Sequence, residues 1–147
     1  MTPAGARAHF AEARVGVLGS IGRGGAPHLV PVVYALDGER IHMAVDSKPK
    51  RGGELARIAN LRADPRCALL VHGYDDDWRP LWWARADGRA SIVKGGSLWE
   101  RTLSLLRDRY PQYRGGTEII GPAIVIEVER WSGWSGAAVD ARSSIGP

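Results

Sequence analysis

A single cysteine, Cys67, leaves the chain without an internal disulfide and without a multi-cysteine zinc site. It sits in the apolar run Arg66-Cys67-Ala68-Leu69-Leu70-Val71 and reads as a buried, inert thiol. No apolar run approaches the roughly 20 residues of a membrane-spanning helix. The first ten residues, Met1 to Phe10, also lack the hydrophobic core of a signal peptide, so a cytoplasmic protein with no membrane partner is expected. His9, His28, His42 and His72 are too scattered for metal ligation, and Asp75-Asp76-Asp77 lacks the spaced ligands of a calcium loop. No metal site is expected. Neither G-x-G-x-x-G nor G-x-x-x-x-G-K-[ST] occurs, so nicotinamide and P-loop binding find no support. No local motif indicates a Ser-His-Asp arrangement, and no side chain is assigned a catalytic role.

What remains has an ordinary globular make-up. Hydrophobic residues form 44% and charged residues 24% of 147 residues, enough for one domain over 1–147 with a real core. Twenty Lys and Arg against sixteen Asp and Glu permit an anionic partner without naming one.

Thr2-Pro3 reads as a helix cap followed by proline in the first turn. Strand-like runs cover 15–21, 28–36, 40–45, 67–74, 81–93 and 123–128. Arg23-Gly24-Gly25-Ala26-Pro27 and Asp37-Gly38 read as turns, and Gly88 marks a bulge or bend. Leu55, Ile58, Ala59 and Leu61 form a helical stripe that Asp64-Pro65 ends. Ser97-Leu98-Trp99-Glu100 fits a capping box for a further helix through Leu103, Leu106 and Tyr110. Short links between successive strands argue for antiparallel pairing, and long bent strands tend to close on themselves. The expectation is a mainly β protein, a six-stranded antiparallel barrel with inserted helices.

The most informative segment is Val45-Asp46-Ser47-Lys48-Pro49-Lys50-Arg51-Gly52-Gly53, at a strand-to-helix junction. Three cations within four residues, beside free backbone amides, suit phosphate as well as they suit a solvated loop. Arg57 lies one turn into the helix. Six tryptophans stand out as well. Trp82 and Trp83, adjacent in a strand, point to opposite faces, one inward and one toward a groove, a partner or a ring-shaped ligand. Trp131 and Trp134 are placed beyond the last strand, sealing one end or folding over a site.

GVLGSIGRGGAPHLVPVVYALDG (16–38), VDSKPKR (45–51), IANLRADPRCALLV (58–71) and DWRPLWWARADGRASI (77–92) together resemble the pyridoxamine 5'-phosphate oxidase-like split-barrel superfamily. Within it they are most similar to the actinobacterial flavin/deazaflavin oxidoreductases that use coenzyme F420. The resemblance implies a split β-barrel and a homodimer with cofactor held in grooves between the two copies. Lys48, Lys50 and Arg51, with Ser47 in the same loop and Arg57 as a further member, match the family's phosphate-holding segment. Pro31, Val33 and Tyr34 fall where the family lines the ring system, and Trp82 is the ring contact taken from the tryptophan pair. The activity implied is hydride transfer between reduced F420 and a small organic substrate. FMN in the same fold, or a barrel that binds flavin or haem without turnover, are the alternatives. Nucleic acid is not expected, because no strand pair carries regularly spaced aromatic and basic residues.

Overall fold

A computed structural model describes residues 1–46 and 55–136, apart from the side chain of Asp46. Thr2 caps α1 (Pro3–Glu12), its Oγ1 accepting from the Gly5 amide at 3.0 Å. β1 (Gly16–Ile21) and β2 (Pro27–Val32) then pair around a turn in which Gly24 (φ 70°) and Gly25 (φ 79°) take the left-handed conformation expected there. β3 (Ala35–Asp37) and β4 (Arg40–Asp46) follow. α2 (Ala56–Ala63), β5 (Arg66–Gly73), β6 (Trp82–Val93), α3 (Ser97–Arg109) and β7 (Ile119–Ser135) complete the order.

All strand neighbours are antiparallel, in the sheet order β2-β1-β5-β6-β7-β4-β3. Period-two alternation sends Leu18 of β1, Leu69 and Val71 of β5, and Ala84 and Ala86 of β6 into one core with Ile41, Ile124 and Ile126. Phe10 of α1 and Ile58 and Leu61 of α2 cover it. A second apolar cluster, with Leu103, Leu106 and Tyr110, lies under α3.

Three expectations change. Among the described residues the sheet has seven strands and does not close into a barrel, in place of six strands in a closed one. The single strand expected over 28–36 is two, because the ladder breaks at Val33 and Tyr34, where the Tyr34 amide donates to the Tyr110 hydroxyl (3.2 Å). Trp131 and Trp134 belong to β7, which runs well past Val128. In addition, Ser97 is the first residue of α3 and makes no side-chain cap; Gly96, at φ 87°, precedes it.

Gly88 marks a bulge, as its position suggested. Asp87 pairs with Arg130 but Gly88 with Val128, so Glu129 has no residue opposite. A Cβ on Gly88 would stand 2.2 Å from the Glu127 carbonyl oxygen, so only glycine fits.

The helix ends nearest each other cap one another. The Arg109 guanidinium donates to the carbonyls of Phe10, Ala11 and Ala13 at the end of α1. Arg14 returns a bond to the Arg109 carbonyl at 2.9 Å. These exchanges satisfy carbonyls that helix ends otherwise leave unpaired.

Candidate functional site

The opening in the sheet holds a cavity. β3 covers the edge of β4 only at residues 40–42. Past His42, that edge has no strand beside it among the described residues, and β2 ends the sheet on the other side. Pro31, Val32 and Val33 face Met43 and Ala44 across this seam and enclose a cavity of about 260 Å³. Val15, Arg57 and Tyr113 complete its rim, with Ile124 behind. Edge strands carry backbone donors and acceptors that no ladder uses, so the cavity pairs apolar side chains with polar main chain.

This volume lies just below the 300 to 1,000 Å³ or so of typical small-molecule sites. The cavity does not stand alone, however. Odd-numbered residues of β1 and β2 point away from the core, which puts Val15 and Pro31 on the same outer face as Val17 and Leu29. There Val17, Leu29, Leu70 and Trp83 line a shallow apolar groove of about 680 Å³, with Arg85 at its border. Leu29 is 71% and Trp83 37% exposed, and Trp134, directly across from Trp83, is 41% exposed. Large apolar side chains are thus left in solvent on one face of the sheet.

The residues expected at the site divide. Pro31, Val33 and Arg57 meet at the cavity. Tyr34 does not reach it: its ring is fully buried, and its hydroxyl donates toward the carbonyls of Phe10 (2.7 Å) and Ala13 (3.3 Å). Burial pushes that hydroxyl's pKa upward, against the Arg109 guanidinium 4.9 Å from the ring. Tyr34 is therefore an anchor of the helix junction and not a ring contact. Trp82 also turns inward, stacked on His9 at 3.9 Å and laid over Gly73, where any Cβ would strike the indole. The outward member of the pair is Trp83. Ser47, Lys48, Lys50 and Arg51 lie outside the described residues.

Val15, Met43, Ala44 and Tyr113 were missed by sequence reasoning. Tyr113 arrives on a short turn after α3, and no local pattern announces it. Val15 was legible in principle, since it shares the outward parity of Val17. Among the described residues, no carboxylate, imidazole or thiol lines the cavity. Cys67 is elsewhere: its thiol donates to the Gly88 carbonyl at 3.7 Å, and burial raises its pKa to about 12, which makes it unreactive. Such a site can bind, orient and exclude water, and among the described lining residues the Tyr113 hydroxyl is a group able to give or take a proton.

The family described as pyridoxamine 5'-phosphate oxidase matches residues 3–135. Among solved structures, a conserved hypothetical protein from Mycobacterium tuberculosis superposes with a TM-score of 0.75 at 23% identity, over 95% of this chain and 88% of that one. A FAD-binding protein from Mesorhizobium loti gives 0.65 at 21% identity, over 90% and 92%. A haem-binding protein from Mycobacterium smegmatis gives 0.69 at 19%, over 96% of this chain and 61% of its own. At these identities the structural likeness concerns the fold alone.

Proposed function

The chain belongs to the pyridoxamine 5'-phosphate oxidase family, and from that premise we propose that it is an oxidoreductase holding a flavin-type cofactor in the seam between β2 and β4. The observation that carries this reading is the cavity itself. Its walls are apolar side chains facing edge backbone, and Arg57 supplies a cation on its rim. The link bearing Lys48, Lys50 and Arg51 leaves β4 two residues after Ala44 and enters α2 one residue before Arg57. Both of its ends are thus tied to cavity-lining residues. Four cations on so short a stretch favour coenzyme F420, whose tail carries a phosphate and glutamate carboxylates, over the single phosphate of FMN.

When bound, the cofactor supplies the hydride chemistry, and the protein supplies position and electrostatics. Pro31 and Val33 would flank the ring, and Arg57 with the lysines of the link would hold the anionic tail. A second copy of the chain is the proposed cover for the Leu29–Trp83 face, since the cavity opens beside it and is too small to enclose a whole cofactor.

The test is titration of the purified protein with F420, FMN and haemin in turn, followed by tryptophan fluorescence. Saturable quenching by F420, weakened tenfold or more when Lys48 and Lys50 are both replaced by alanine, is the expected result. Preference for FMN transfers the reading to a flavin enzyme, preference for haemin to a non-catalytic binder, and binding of none overturns it.

A further inference from the structure

We propose that Tyr110 is the positioning residue of the seam cavity, its hydroxyl fastening two wall segments to the helix end that delivers a third. Tyr110 follows α3 directly and is 5% exposed. Its hydroxyl accepts from the Tyr34 amide at 3.2 Å, and its one proton is directed to the Tyr34 carbonyl (2.7 Å) and the Arg14 carbonyl (3.0 Å). Tyr34 is the chain neighbour of Val33, and Arg14 that of Val15; both neighbours line the cavity. The Tyr110 ring meets the ring of Tyr113 edge to face, centroids 6.1 Å apart, and Tyr113 lines the cavity as well. One residue therefore sets the spacing of three wall elements.

The reason lies in the broken ladder. β2 ends at Val32 and β3 begins at Ala35, so the backbone at 33–34 has left one strand and not yet joined the next. The segment at 13–15 lies between α1 and β1 and likewise belongs to neither. Short side-chain bonds from Tyr110 replace the missing ladder at both. A cofactor gripped between Val15, Val33 and Tyr113 would feel an ångström of drift in any of them, and misplacement on that scale is costly to binding and chemistry. The ligand part of this inference rests on the function proposed above; the structural part does not.

The conservative variant Tyr110→Phe keeps the ring and its contact with Tyr113 and removes only the oxygen. Hydrogen exchange in the ligand-free protein is the first measurement. The amides of Val15, Val33 and Tyr34 should exchange at least tenfold faster in the variant, with β5 and β6 unchanged. Unchanged exchange at those amides overturns the proposal whatever the protein binds. The second is cofactor affinity, with Ile126→Val as a core control matched for lost thermal stability. Tyr110→Phe should weaken binding about tenfold and alter the bound cofactor's absorption band, whereas Ile126→Val should do neither. Equal affinity for Tyr110→Phe and wild type sinks the positioning role. If the wild type binds no flavin, the proposed function fails by itself, and the exchange result still decides whether Tyr110 holds the wall.

Discussion

Aromatic residues are handled in opposite ways at two places in this molecule. Where α1 meets α3, Phe10, Tyr34 and Tyr110 are buried, and both hydroxyls bond to backbone. Arg14 and Arg109 lie over the tyrosine rings, 4.7 and 4.9 Å from the centroids. On the outer face of the sheet, Trp83 of β6 stands in solvent in the groove it shares with Leu29, and Trp134 of β7 is exposed directly across from it. The first arrangement converts burial and hydrogen bonds into stability of one chain. The second leaves apolar area unspent until something covers it. A stable junction next to an uncovered face is what a protein needs if its site is completed from outside.

Substitutions in the two regions should therefore separate stability from association. The largest effect is expected for Phe10→Ala, which empties a fully buried ring site against Tyr34 and Trp131; it should cost about 3–5 kcal/mol in chemical denaturation. Tyr34→Phe keeps the ring but strips the donor facing the Phe10 carbonyl, and about 1–3 kcal/mol should be lost in the same assay.

A smaller effect belongs to His42, buried under α3. Thr102 donates its hydroxyl proton to the Leu98 carbonyl (3.0 Å), so His42 Nδ1 carries the hydrogen in its 2.7 Å bond to Thr102 Oγ1. Its Nε2 has no hydrogen-bond partner among the described residues. Burial lowers the pKa from its ordinary 6.5, while Arg40 and Arg101 oppose the charge and Asp37 and Glu127 favour it. The folded state thus holds fewer protons than the unfolded one. The contribution of His42 is complete above pH 6.5 and is lost as pH falls from there through the lowered folded value. Melting curves at about pH 7.5 and about pH 5.5 should show a drop in stability that His42→Phe diminishes. A flat profile in the wild type would remove His42 from the account.

Least change in chain stability is expected for Leu29→Ser, within about 0.5 kcal/mol for an exposed site. Its effect should appear instead in sedimentation, as a shift from dimer to monomer. A wild type that sediments as a monomer would remove the second copy from the proposed site.

Local chemistry was legible in the sequence. The Thr2 cap, the positive-φ glycines of the first turn and the bulge at Gly88 each rest on a property of one or two residues. So did the opposed faces of Trp82 and Trp83, although which one turned inward did not. That choice depends on Gly73, opposite Trp82 on β5, which leaves room for the indole. Period-two parity alone puts Pro31 and Val33 on one face and Tyr34 on the other, and grouping all three overlooked it. The seam was not legible, because it exists only where β2 and β4, near in sequence but toward opposite ends of the sheet order, fail to meet. Tyr113 was hidden as well: its place depends on how α3 ends against strands far from it.

The unpaired Glu129 has one more consequence. Before it, even-numbered residues of β7 face inward, as Ile124 and Ile126 do; after it, the odd-numbered Trp131 does. The bulge is a frameshift in the alternation of the strand, advancing the side-chain phase by one step. Deleting that residue would only join Val128 to Arg130 and leave Trp131 opposite Ala86; keeping it and pairing it in a regular ladder would turn Trp131 outward and Trp134 inward. The bulge at a single position thus determines which tryptophan packs against Phe10 and which is left on the outer face.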